Sequence, residues 1–157
     1  MSIREIVAED KDDLLKLFQA TGVFRQDEIE IANEVIEASL NPASGYRSFC
    51  FATTENRAIG YVCWGATPCT LGTFDLYWIA VHPDHQGNGV GKRLLSYAEE
   101  RARKDGARLM IIETSSLQQY EKSRGFYRER GYQQLAVIED FYQQGDHKII
   151  YGKKFVS

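Results

Sequence analysis

The feature that most constrains this chain is a strand, a glycine loop and a helix in direct succession. Trp78-Ile79-Ala80-Val81 closes an apolar stretch that begins at Thr73, and His82-Pro83 stops it, because proline has no N–H to give a ladder. Gln86-Gly87-Asn88-Gly89-Val90-Gly91 follows, with glycine at every second position. From Val90 to Lys104 the apolar residues Val90, Leu94, Ala98 and Ala102 recur at helical spacing, and Gly106 ends the run. Alternate glycines let the backbone turn with its N–H groups aimed one way, and the helix adds its positive end. Such a nest suits a diphosphate. Lys92 and Arg93, next in the chain, either add charge to it or are simply solvated. A tight turn without a ligand is the plainer alternative.

Nucleotide versions of such a loop do not fit. A Walker loop needs glycine five residues before the Gly91-Lys92 pair, where Gln86 stands, and Ser or Thr after the lysine, where Arg93 stands. A dinucleotide fingerprint counted from Gly87 needs glycine at position 92, which is Lys92.

The rest of the chain supplies the sheet that this unit requires. Ser2 to Val7 alternates as a first strand. Asp10 to Ala20 reads as a helix capped by Asp10, with Leu14, Leu17 and Phe18 on one face. Asp27 to Leu40 reads as a second helix, with Asp27 and Glu30 placed as a capping box. Its outer face carries Glu28, Glu30, Glu34 and Glu37, either as a solvated surface or as a dock for a cationic acceptor. Tyr46 to Thr54, Arg57 to Thr67 and Thr73 to Val81 form a meander. Arg108 to Thr114 is apolar throughout its centre, as a buried strand should be. A short helix over Ser123 to Arg130 precedes an antiparallel pair, Tyr132 to Phe141 and Asp146 to Phe155. Gly125 disfavours the start of that helix, which is therefore expected late. The order is β-α-α-β-β-β-α-β-α-β-β. It predicts a single α/β domain over residues 1–157. Its mixed, largely antiparallel sheet of about seven strands is covered by helices on both faces.

Composition narrows the function. The chain is 43% hydrophobic and 26% charged with a net charge of −3. A nucleic-acid partner is not expected without a basic footprint. No apolar run is long enough to span a membrane and the first residues do not read as a signal peptide, so no membrane association and a cytoplasmic location are expected. The odd cysteine count, Cys50, Cys63 and Cys69, suits a reducing compartment. Cys63, Cys69, His82 and His85 run in zinc-finger order. Five residues separate the cysteines and two the histidines, where a finger wants two to four and three to five. No metal is expected.

Gln86-x-x-Gly89-x-Gly91 resembles the Gln/Arg-x-x-Gly-x-Gly/Ala signature of the GCN5-related N-acetyltransferase family, and Ala80-Val81-His82-Pro83 is similar to the family's approach to it. Phe126-Tyr127-Arg128-Glu129-Arg130-Gly131-Tyr132 resembles the family's Phe-Tyr-x-x-x-Gly-Phe/Tyr motif. The order of elements matches along essentially the whole chain. The resemblance implies acetyl-coenzyme A as co-substrate, in a V-shaped gap between the fourth and fifth strands. Main-chain groups of Ile79, Ala80 and Val81 would pair with the pantetheine arm. The amides of Gln86, Gly87, Asn88, Gly89, Val90 and Gly91, with Lys92, would hold the pyrophosphate. Thr114, Tyr120, Arg124 and Tyr127 are further expected contacts. Tyr120 and Arg124 depart from the family, which often has asparagine and alanine there. Homodimers through the last strands are common in the family.

Acyl transfer to an amine needs a neutral amine, donors for the oxyanion and a proton for the leaving thiolate. No Ser-His-Asp or Cys-His set is evident, so direct transfer to a primary amine is the simpler expectation, ahead of an acyl-enzyme on a cysteine. By resemblance Tyr127 is the general acid, and the Val81 N–H is placed to donate to the oxyanion. Asp75 and Glu113 are candidate bases, with ordinary strand-end charges and deprotonation through a water chain as the alternatives. The acceptor, a small molecule or peptide amine, is not legible, although Tyr46, Phe49, Phe51, Tyr77 and Trp78 could line its cleft as well as form core. The competing readings are a non-catalytic acetyl-coenzyme A sensor and an interaction protein that keeps only the fold.

Overall fold

In the computed structural model, which describes residues 2–156, the chain runs β1 (Ser2–Glu5), α1 (Lys11–Thr21), α2 (Gln26–Ser39), β2 (Arg47–Ala52), β3 (Ala58–Ala66), β4 (Thr73–Val81), α3 (Val90–Lys104), β5 (Leu109–Ser115), α4 (Glu121–Glu129), β6 (Gln133–Gln143) and β7 (Asp146–Lys154). One seven-stranded sheet has the order β1-β2-β3-β4-β5-β7-β6. The pairs β1–β2, β2–β3, β5–β7 and β6–β7 are antiparallel, and β4–β5 is parallel. The parallel pair follows from α3, since parallel neighbours need a crossover. This is the expected mixed α/β fold, in the expected order. Among the described residues no helix is long and apolar enough to cross a membrane.

The chain divides into two units, one formed by residues up to Gly65 with Tyr77–Ala102, the other by Ala66–Leu76 with the chain from Arg103 on. In the first, side chains alternate across β2 and β3. Cys50, Ala52, Tyr61 and Cys63 join Leu14, Leu17 and Phe18 of α1 and Ile29, Ala32 and Ile36 of α2 in one core. Phe49 stacks on Trp64 at 5.3 Å and meets Tyr97 of α3 at 5.1 Å. Gly60 of β3, paired with Phe51, faces α3: a Cβ there would stand 2.8 Å from Leu94 and 3.0 Å from Val90. Glycine therefore sets how closely the start of α3 lies on β3. In the second unit β5, β7 and β6 form a ladder. The rings of Tyr127 on α4, Tyr132 and Tyr151 pack with centroids 6.1 to 6.3 Å apart.

Three local expectations are corrected. The carboxylate that caps α2 belongs to Glu28, which accepts from the Arg25 N–H at 3.1 Å. Asp27 instead pairs with the Arg25 guanidinium. Asp10 does not cap α1 through its side chain; it is buried and takes two hydrogen bonds from Arg4, each 2.8 Å, and one from the Val7 N–H. Burial pushes the Asp10 carboxyl up, but the Arg4 and Val7 donors outweigh it and hold it below the usual carboxylate range. Helix α4 begins at Glu121, ahead of Gly125, and not late. The Glu121 carboxylate ties the first turn together by pairing with Arg124 at 2.9 Å and Arg128 at 2.8 Å. That offsets the cost of one helical glycine, about 1 kcal/mol relative to alanine.

Candidate active site: an amide nest and a buried tyrosine

In the first unit, β4 ends at Val81 and a 3-10 turn, Pro83–His85, carries the chain into the loop. His82 orders this turn. Its Nδ1 accepts from the Asp84 N–H at 3.2 Å and its carbonyl from the His85 N–H at 2.9 Å. The Gln86 side-chain amide reaches back and donates to the Val81 carbonyl at 3.0 Å. The family signature opens on this residue, and the bond ties the loop to the end of β4. Gly87 and Gly89 both adopt left-handed backbone, φ +83° and +81°. A Cβ at either would meet nothing within 4 Å. Glycine is required here by the backbone angle, not by crowding. The result is a row of unused donors. Among the described residues the N–H groups of Gly87, Asn88 and Gly89 make no hydrogen bond. The first N–H groups of α3 have no intrahelical partner either. Gln86, Gly87, Asn88 and Gly89 are exposed, Gly91 is half-buried and Lys92 is exposed, while Val90 is buried against β3. Ile79 and Val81 are half-buried and Ala80 buried.

In the second unit, the β4–β5 ladder comprises Thr73↔Leu109 through Leu76↔Ile112, and β4 runs on to Val81 as β5 does to Ser115. Asp75 lies in this ladder and accepts from the Thr67 hydroxyl at 2.7 Å. Glu113 is exposed and pairs with Lys148 at 3.0 Å. Thr114 and Tyr120 are buried. Arg124 is buried too. Its Nη1 donates to the carbonyls of Ser115 at 2.6 Å and Leu117 at 2.9 Å, and its Nη2 to Glu121. The guanidinium thus joins the end of β5 to the start of α4.

Tyr127 is 7% exposed. Burial alone pushes its hydroxyl above the ordinary tyrosine range, so it stays protonated. Among the described residues that hydroxyl makes no hydrogen bond. A protonated O–H that no protein group engages can give its proton to a nearby anion.

One buried group escaped the sequence reading. Asp146, 1% exposed, accepts from the Ser115 hydroxyl, which in turn accepts from the Leu117 N–H at 3.0 Å. In the sequence it is the charged first residue of the last expected strand, just after Gly145, and nothing there marks it as buried. Of the aromatic set, Phe49 and Phe51 are core, whereas Tyr77 is 38% exposed and packs edge-on against Tyr46. Trp78 packs edge-on against Phe18 and Phe24.

The cysteines lie apart from these groups. Cys50 and Cys63 are buried, and desolvation pushes each thiol up to about 11. Neither has thiolate character at neutral pH. Iodoacetamide on the native protein is expected to label Cys69, which is exposed, and to reach the other two only after denaturation. Peptide mass spectrometry reads this, and rapid native labelling of Cys50 or Cys63 would contradict it.

The acetyltransferase (GNAT) domain model matches residues 45–134, from the approach to β2 into β6. A crystal structure from Desulfovibrio desulfuricans, described as an acetyltransferase of the GNAT family, superposes with a TM-score of 0.92 at 37% identity over 98% of both chains. An aminoglycoside 6'-N-acetyltransferase solved with coenzyme A shares the fold, with a TM-score of 0.80 at 17% identity over 100% of this chain and 98% of that one. S-(2-succino)cysteine N-acetyltransferase of Bacillus subtilis (strain 168) is 25% identical over 135 residues, 82% of each chain. The amide nest and the buried tyrosine both fall within the matched residues, and the chain belongs to the GNAT family of N-acetyltransferases.

Proposed function

We propose that the protein transfers acetyl from acetyl-coenzyme A directly to a primary amine. The observation that carries this is the run of unshared N–H groups at Gly87, Asn88 and Gly89 ahead of α3. In a water-facing loop they would hold the coenzyme's pyrophosphate, with Gln86, Val90, Gly91 and Lys92 completing the cradle. The main chain of Ile79, Ala80 and Val81, beyond the β4–β5 ladder, serves the pantetheine arm. The Val81 N–H donates to the tetrahedral oxyanion. The amine nitrogen attacks the thioester carbon, the C–S bond breaks, and Tyr127 gives its proton to the departing thiolate. The amine must lose a proton before or during attack. Asp75 and Glu113 remain the candidate bases, each engaged with a neighbour, Thr67 and Lys148. Arg124 contributes by holding β5 to α4.

The acceptor is proposed to be a small molecule or a peptide with a free amine. The α-amine of an S-substituted cysteine is the first to test, given the Bacillus subtilis relative. A cytoplasmic location accords with three free cysteines. A homodimer accords with β6, an edge strand exposed along its length that presents Leu135, Val137, Ile138 and Phe141. A thiol-release assay over a panel of amines tests the activity. Acetylation of none, in a protein that binds coenzyme A by calorimetry, would favour a sensor instead.

Gly89→Val is the direct test of the nest. A β-branched residue at φ +81° is strained by about 1–3 kcal/mol, and relaxation turns the amides away. Coenzyme A binding is expected to weaken by on the order of tenfold or more, read by calorimetry. Undiminished binding would move the pyrophosphate elsewhere.

A further inference from the structure

We propose that Asn88 is a site of spontaneous deamidation, and that its conversion disables the pyrophosphate loop while bound coenzyme A protects it. The second part rests on the loop's proposed function; the first does not.

The chemistry is a cyclisation. The Gly89 amide nitrogen, on losing its proton to solvent base, attacks the Asn88 side-chain carbonyl carbon. A C–N bond forms, the bond from that carbon to Nδ2 breaks, and ammonia leaves with the proton. The resulting succinimide then adds one water. Opening at the side-chain carbonyl gives aspartate, and opening at the main-chain carbonyl gives isoaspartate. Nothing is oxidised or reduced, and water is the only co-reactant.

Such a step needs an accessible side-chain amide, a following nitrogen that is not held by a hydrogen bond, and no side chain to block the approach. Asn88 meets all three. It is exposed and lies in a turn, and among the described residues neither its side chain nor the Gly89 N–H makes a hydrogen bond. Gly89 has no Cβ, and nothing lies within 4 Å of where one would be. The other three asparagines each fail a requirement. Asn33 lies inside α2, where the helix holds the backbone. Asn41 precedes Pro42, which has no N–H to ionise. Asn56 precedes Arg57, whose N–H donates to the Thr53 hydroxyl at 3.1 Å, and its own Oδ1 accepts from Arg4. The chemically similar pair Asp105-Gly106 is held as well, since the Gly106 N–H donates to the Arg103 carbonyl at 3.0 Å.

The consequence is electrostatic and geometric. Deamidation puts a carboxylate among N–H groups that would meet a diphosphate, and isoaspartate lengthens the main chain between two of them. In the complex, the Gly89 nitrogen would donate to a phosphate oxygen and could not serve as the nucleophile.

The test is to age the full chain in warm, mildly alkaline buffer with and without saturating coenzyme A. Peptide mass spectrometry locates each amide-to-acid conversion, an isoaspartyl methyltransferase assay counts isoaspartate, and calorimetry follows coenzyme A affinity. Asn88 is expected to convert first, with isoaspartate appearing, and coenzyme A to slow it several-fold. Asn88→Asp, made directly, is expected to bind coenzyme A more weakly by on the order of tenfold. Conversion at Asn88 no faster than at Asn33, Asn41 and Asn56 overturns the proposal. Equal rates with and without coenzyme A, in fresh protein that binds it, overturn the protection. Prompt conversion of Asn88 in fresh protein that binds no coenzyme A would sink the pyrophosphate reading and leave the deamidation site standing.

Discussion

Tyr127→Phe is expected to lower kcat by on the order of 100-fold while coenzyme A affinity and Tm stay as they are. The substitution removes one oxygen and leaves the ring packing of Tyr127 with Tyr132 and Tyr151 in place. Since that hydroxyl makes no hydrogen bond among the described residues, its loss orphans no partner, and the usual penalty for an unmatched buried group does not arise. A fall in turnover without a fall in stability would therefore belong to the chemistry. The pH dependence adds a second readout. Burial raises the Tyr127 pKa, so the protonated form, the one that can act as an acid, persists above the ordinary value of about 10. The wild-type kcat profile should show no basic limb from this group below pH ~10. Unchanged kcat in the variant, with a panel acceptor that the wild type uses, would remove Tyr127 from the mechanism.

Arg124→Ala is expected to destabilise the protein by about 3 kcal/mol, because two carbonyls lose charge-assisted donors and one of them, Ser115, is buried. For a chain of this length that corresponds to a fall in Tm of about 10 °C. Glu121 keeps Arg128 as a partner, so the carboxylate is not stranded and the loss stays near the hydrogen bonds alone. Arg124→Lys is expected to recover only part of it, as an ammonium cannot span both carbonyls and Glu121 in one plane. Denaturant melts measure the stability, and calorimetry measures coenzyme A affinity on protein that is still folded. An intact Tm with a large affinity loss would reverse the assignment and make Arg124 a ligand of the coenzyme.

Much of the candidate site was legible in the chain because it is local. Gln86 to Gly91 is one contiguous segment, and alternate glycines before an amphipathic helix have few other uses. The bounds of β4 and α3 followed from patterns confined to those segments. The α4 boundary did not, because Gly125 argues against helix locally whereas Glu121 bridges Arg124 and Arg128 only once the turn exists. The α2 cap slipped for a similar reason. Asp27 and Glu28 are both acidic, and only the path of the preceding chain decides which one meets the Arg25 N–H.

By itself, then, the sequence determined the order of elements, the mixed sheet and the glycine loop between β4 and α3, since each depends on periodicity, glycine or proline within a few residues. It also pointed to Tyr127 through a motif. Only the tertiary structure decided which N–H groups are left unshared, that burial holds the Tyr127 hydroxyl protonated, and that Arg124 is bound to the Ser115 and Leu117 carbonyls. It also placed Asp146 in the interior beneath the Ser115 hydroxyl. Desolvation and hydrogen-bond pairing are properties of neighbours distant in sequence, and no local pattern encodes them.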